Sequence, residues 1–113
     1  MAYFYKKEDI KFGPHPKFEG VGFALLINRE KDPRLSVSML EIKPGVEIPI
    51  HTHETQADSI YVLSGEGEAY LNGSWQKIGP GDYILIPPGE EHGVKNSGDE
   101  PLRLFIVHAP PLF

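Results

Sequence analysis

Turns limit this chain more than any other feature. Lys43-Pro44-Gly45, Ser64-Gly65-Glu66-Gly67, Asn72-Gly73, Gly79-Pro80-Gly81, Pro87-Pro88-Gly89 and Asn96-Ser97-Gly98-Asp99 interrupt it at short intervals. The runs between them are rich in Val, Ile, Leu, Tyr and Phe and too short for helices, so they read as strands. We expect strands over residues 21–28, 35–42, 47–53, 58–63, 68–71, 75–78, 82–86, 92–95 and 102–108. Asn72-Gly73 is the strongest hairpin signal, because both positions of such a turn want positive φ. Short strands with a turn about every 8 to 12 residues describe an all-β sandwich or barrel. No amphipathic helix competes with that pattern. Residues 1–20 mix aromatics with Pro14 and Pro16 and read as an N-terminal arm or edge strand.

Size and charge narrow the class. A chain of 113 residues is expected to form one domain, 1–113, around one core. The net charge of -5 and the lack of any basic block argue against nucleic acid, whose phosphates require a Lys/Arg surface. No stretch approaches the roughly 20 apolar residues that span a bilayer, and the first residues lack the apolar run of a signal peptide. A cytoplasmic protein with no membrane partner is the expectation. With no cysteine there is neither disulfide nor thiolate, so any metal must be held by nitrogen and oxygen. Such donors suit Mn, Fe, Co, Ni or Zn.

Histidines supply the nitrogen. His51 and His53 stand at i and i+2, which places both side chains on one face of a strand, and His92 follows the Pro87-Pro88-Gly89 turn that would carry it back toward them. Asp58 is a carboxylate five residues after His53. It ligates directly or through a water, and Glu54 and Gln56 are the neighbours that could replace it. His15, between two prolines, reads as a surface residue. His108 ends the last strand and lines a barrel mouth or faces solvent. Trp75, Tyr70 and Phe105 read as packing residues, and Arg103 as a solvated strand arginine.

The segment from Gly45 to Gly65 can be written G-x5-H-x-H-x4-D-x6-G, and that from Gly81 to Asn96 as G-x5-P-x-G-x2-H-x3-N. These strings resemble the two motifs of the cupin superfamily. Asp58 stands where the first motif carries Glu, whereas Gly81, Pro87, Gly89, His92 and Asn96 match every fixed position of the second. Fifteen residues separate the motifs, similar to small microbial single-domain cupins. The resemblance implies a small double-stranded β-helix, or jelly-roll, barrel of the cupin type. It further implies one divalent transition metal ion per chain, Mn or Fe before Zn, Ni or Co, held by His51, His53, His92 and the Asp58 position.

A site of three imidazoles and a carboxylate leaves coordination positions for a small-molecule ligand or substrate. Cupins include dioxygenases, decarboxylases, isomerases and lyases as well as non-catalytic sensors, so the fold does not choose among them. The first expectation is a metal-dependent enzyme for a small organic acid, sugar or phenolic compound. A binding or regulatory module is the second, and a storage barrel without metal the third. Glu41, Glu47, Tyr70 and His108 are the general-base candidates. The resemblance also implies a homodimer packed sheet against sheet, with Tyr3, Phe4, Tyr5 and residues 109–113 as contacts.

Overall fold

The structure is a computed structural model that describes all residues, 1–113. Its strands are β1 (Gly13–Pro14), β2 (Val21–Ile27), β3 (Ser36–Ile42), β4 (Glu47–His51), β5 (Ala57–Ser64), β6 (Gly67–Leu71), β7 (Ser74–Ile78), β8 (Tyr83–Ile86), β9 (His92–Lys95) and β10 (Leu102–Ala109). The only helical turn is a short 3-10 segment over Lys7–Asp9, and no helix is long and apolar enough to cross a membrane. Two antiparallel sheets, ordered β1-β2-β3-β10-β5-β8 and β4-β9-β6-β7, make the jelly roll.

Each run expected to be a strand is one, with ends moved by a residue or two. The run over 47–53 shows the largest difference: β4 stops at His51 and His53 lies beyond it. The pairing of β4 with β9 shifts register between Ile48 and His51, so the chain is already leaving the ladder there. The arm adds the short β1, whose Gly13 and Pro14 pair with Phe23 and Gly22. Asn72 and Gly73 adopt φ of 53° and 86°, the positive values that the β6–β7 hairpin requires.

Alternation settles which face of each strand is inside. Ser36, Ser38, Leu40 and Ile42 of β3, Asp58, Ile60 and Val62 of β5, and Leu102, Leu104, Ile106 and His108 of β10 are all buried. Pairing then stacks them in rows: Leu104 between Leu40 and Val62, Ile106 between Ser38 and Ile60, His108 between Ser36 and Asp58. Because all three strands carry their apolar residues toward the same end, antiparallel pairing makes that end of the barrel a dry core. The opposite end is polar. Ile48, Ala69, Ile78 and Val94 close the core from the second sheet, and the polar end is left open as a cavity.

Candidate metal centre

Two short-range constraints bring the second motif to the first. His51 of β4 and His92 of β9 are directly paired across the ladder, which sets their rings 4.3 Å apart. The Pro87-Pro88-Gly89 turn is tied to the other histidine of the pair, since Gly89 N–H donates to His53 O at 2.8 Å. Gly89 has φ of 82°, a left-handed conformation that suits glycine. The His53 ring lies 4.9 Å from His51 and 5.1 Å from His92. Asn96 at the end of β9 is structural: its amide donates to Ile42 O and Glu100 O and its Oδ1 accepts from Gly98 N–H.

The four residues picked out in the sequence, His51, His53, Asp58 and His92, meet at the polar end of one cavity of about 290 Å³. One further histidine joins them. His108, whose surroundings the sequence left undecided, is buried, and its Nε2 stands 3.3 Å from Asp58 Oδ2. The same carboxylate oxygen is 3.3 Å from His92 Nε2 and 3.5 Å from His53 Nε2. Donor atoms of His51, His53 and His92 lie within 4.8 Å of one another, as do those of His53, Asp58 and His108. Of the alternatives to Asp58, Glu54 is exposed and Gln56 turns its amide to Pro111 O.

The hydrogen bonds at the back of the rings decide what the front can do. His51 Nδ1 is 2.7 Å from Pro49 O and His92 Nδ1 is 3.0 Å from Glu90 O. A carbonyl oxygen only accepts, so each Nδ1 carries the proton and each neutral ring keeps its lone pair on Nε2. Buried His92 Nε2 and Asp58 Oδ1 have no hydrogen-bond partner, nor does His108 Nδ1. Contacts of 3.3 to 3.5 Å exceed ordinary hydrogen-bond lengths, yet a carboxylate oxygen and a ring nitrogen so spaced can both lie about 2.1 Å from one ion. Two overlapping groups, His51 with His53 and His92, and His53 with Asp58 and His108, could each hold a metal ion.

Electrostatics agree with that fit. Burial acts to raise the Asp58 pKa, but the imidazoles of His108, His53 and His92 facing it win and hold the carboxyl well below the usual range. His51 is pushed down, first by burial and further by His92 and His53, against the pull of the Pro49 carbonyl and Asp58. His92 shows the reverse balance: burial lowers it, while Asp58 and the Glu90 carbonyl raise it further. An anionic carboxylate among imidazoles is a pole for a cation.

The remaining candidates lie elsewhere. Glu41 and Arg103 pair on the outer face of the six-stranded sheet, with Arg103 Nε and Nη2 2.7 and 2.6 Å from Glu41 Oε2, so neither faces the cavity. Tyr70 packs against Trp75, which Lys95 covers at 4.2 Å, and Glu47 is exposed on β4. His15 departs from its surface reading. It is half-buried and lines the cavity mouth beside Phe18 and Phe23. Residues 109–113, expected as contacts to a second subunit, fold over their own barrel: Phe113 O accepts from Arg29 N–H, and Leu112 N–H donates to Ser36 Oγ.

A jelly-roll barrel with an imidazole and carboxylate cluster inside one end defines the class. A model of the cupin domain matches residues 38–108, and the chain belongs to that family. The oxalate-binding protein of Thermotoga maritima is 32% identical over 68 residues, a match covering 60% of this chain and only 56% of that one. A predicted oxalate decarboxylase from Thermotoga maritima superposes with a TM-score of 0.83 at 25% identity, covering 97% of this chain and 99% of the other. The polyketide cyclase RemF from Streptomyces resistomycificus gives 0.82 at 28%, with 96% and 80% covered.

Proposed function

We propose that residues 1–113 act as one metal-binding cupin barrel in which His51, His53, His92 and Asp58 hold a single divalent ion, Mn or Fe in first place and Zn, Ni or Co after them. The observation that carries this reading is the fixed tautomer of neutral His51 and His92, which leaves Nε2 lone pairs beside a buried carboxylate whose Oδ1 has no hydrogen-bond partner. A divalent cation would be held by that carboxylate and the ring lone pairs together. His108, packed against Asp58 Oδ2, positions the carboxylate from the last strand.

We read the activity as metal-dependent catalysis on a small oxygenated compound, an organic acid, sugar or phenolic. When bound, the ion supplies Lewis acidity or, if iron, redox chemistry. The chain supplies the rest. Ile48, Ile60, Leu104 and Ile106 keep the cavity wall apolar, which strengthens every polar contact made within it. The names of the oxalate-binding relative and of the polyketide cyclase support a small oxygenated ligand. A non-catalytic binding module is the second reading. It is favoured by the placement of Glu41 and Tyr70, two of the general-base candidates, outside the cavity.

Metal analysis tests the site. Near one ion per chain is expected after reconstitution of wild type, with loss in His51→Ala and His92→Ala; a wild type that takes up no metal overturns the reading. Turnover of organic acids, sugars or phenolics that disappears on chelation marks an enzyme, and binding without turnover marks the module. We also propose a homodimer, supported by the exposed Tyr61, Leu63, Tyr83 and Leu85 on the outer faces of β5 and β8.

A further inference from the structure

The cavity mouth carries a polar pair that the metal site does not use. His15 and Lys17 line it from the arm, and Lys17 is the only lysine or arginine among the lining residues. Backbone N–H groups of Lys17 and Phe18 both donate to His15 Nδ1, at 3.0 and 3.1 Å. A ring nitrogen accepting two such bonds carries no proton, so the neutral ring carries it on Nε2. Burial, aided by Lys17, lowers the His15 pKa and keeps that ring neutral. His15 Nε2–H is thus a donor of fixed orientation that none of the protein's hydrogen bonds uses.

Aromatic rings line the cavity from this donor toward the imidazole cluster. His15 stands 4.9 Å from Phe18 and 6.3 Å from Phe113. Phe18 in turn is 6.2 Å from His51, and Phe113 is 6.2 Å from His108. The Lys17 ammonium is 5.4 Å from the Phe18 ring centroid. A cavity of about 290 Å³ sits near the lower end of the range for small-molecule sites.

We propose that His15 Nε2–H and the Lys17 ammonium form a second anchor for the ligand of this cavity. The anchor takes a carboxylate at the end of the molecule remote from the metal donors, while a flat apolar body lies against Phe18 and Phe113. The ligand class is therefore a small, ring-sized acid with oxygen functions at both ends. This rests on the reading that the imidazole cluster holds an ion, and it deepens that reading by naming what the far end of the ligand meets.

Calorimetry on metal-reconstituted protein tests it with two probes, protocatechuate, whose vicinal hydroxyls suit the ion and whose carboxylate extends away from it, and catechol, which lacks the carboxylate. Protocatechuate is expected to bind wild type about tenfold more tightly than catechol, the size of a charge-assisted hydrogen bond. In His15→Asn the preference should shrink to within about twofold, the size of assay scatter. Asparagine Oδ1 still accepts the turn N–H groups but offers no donor at the Nε2 position, so the unfolding temperature should not move. The exposed Lys17→Met narrows the same preference and carries the test should His15→Asn fail to fold. Equal affinities in wild type, or a preference untouched by either variant, overturn the anchor alone. Absence of catechol binding together with absence of bound metal overturns the metal reading and the anchor with it.

Discussion

Asp58 is one methylene shorter than the glutamate of the cupin pattern, yet its Oδ2 reaches three imidazoles within 3.3 to 3.5 Å. It does so because β5 places it on the inner face at 4% exposure, directly across the ladder from His108. Its depressed pKa has a sign that can be worked through. A carboxylate held below its unfolded value contributes stability that is fully present above about pH 4 and is lost as pH falls toward the folded value. Metal-free wild type should therefore lose urea resistance more steeply than Asp58→Asn as pH falls from about 4 to about 2. Matching slopes in the two proteins would contradict it. The meeting of His51, His53 and His92 was readable from spacing, because it depends on local strand geometry and one turn. The places of His108 and His15 were not: one depends on cross-strand register, and the other on the path of an arm that no periodicity defines.

Among the elements, the contact of β4 with β9 matters most for the site and the β6–β7 hairpin least. A Cβ at Gly93 would meet Ile48 O at 3.0 Å and Ile50 N at 3.2 Å, backbone atoms of the strand that ends in His51. Gly93→Ala is expected to push β4 outward, lowering metal affinity by roughly tenfold along with stability. Gly73→Ala meets no neighbour but must adopt φ of 86°, a strain of about 1 kcal/mol confined to the hairpin. It should lower the unfolding temperature and leave metal affinity unchanged; titration of both variants with Mn(II) separates the two outcomes. In the core strand β10, Leu104→Ala should cost about 2 to 5 kcal/mol in chemical denaturation, since Leu104 is 1% exposed between Leu40 and Val62. These strands were legible from alternation and turn chemistry. The end of β4 was not, because the register shift before His51 arises from pairing with β9.

At the level of the whole molecule, the outer face formed by Tyr61, Leu63, Tyr83 and Leu85 is apolar on a chain of net charge -5. Light scattering should give twice the chain mass, and Tyr83→Arg with Leu85→Arg should return the monomer while leaving metal content intact. A wild-type monomer contradicts the dimer. By itself the sequence determined that strands form, where they turn, and that His51, His53 and His92 come together, because alternation, glycine and proline act over a few residues. Only the tertiary structure decided that the polar ends of β3, β5 and β10 coincide, that His108 backs Asp58, and that residues 109–113 close over the mouth. Each of these depends on which residue lies opposite which across a ladder, and that is settled by packing one sheet on another.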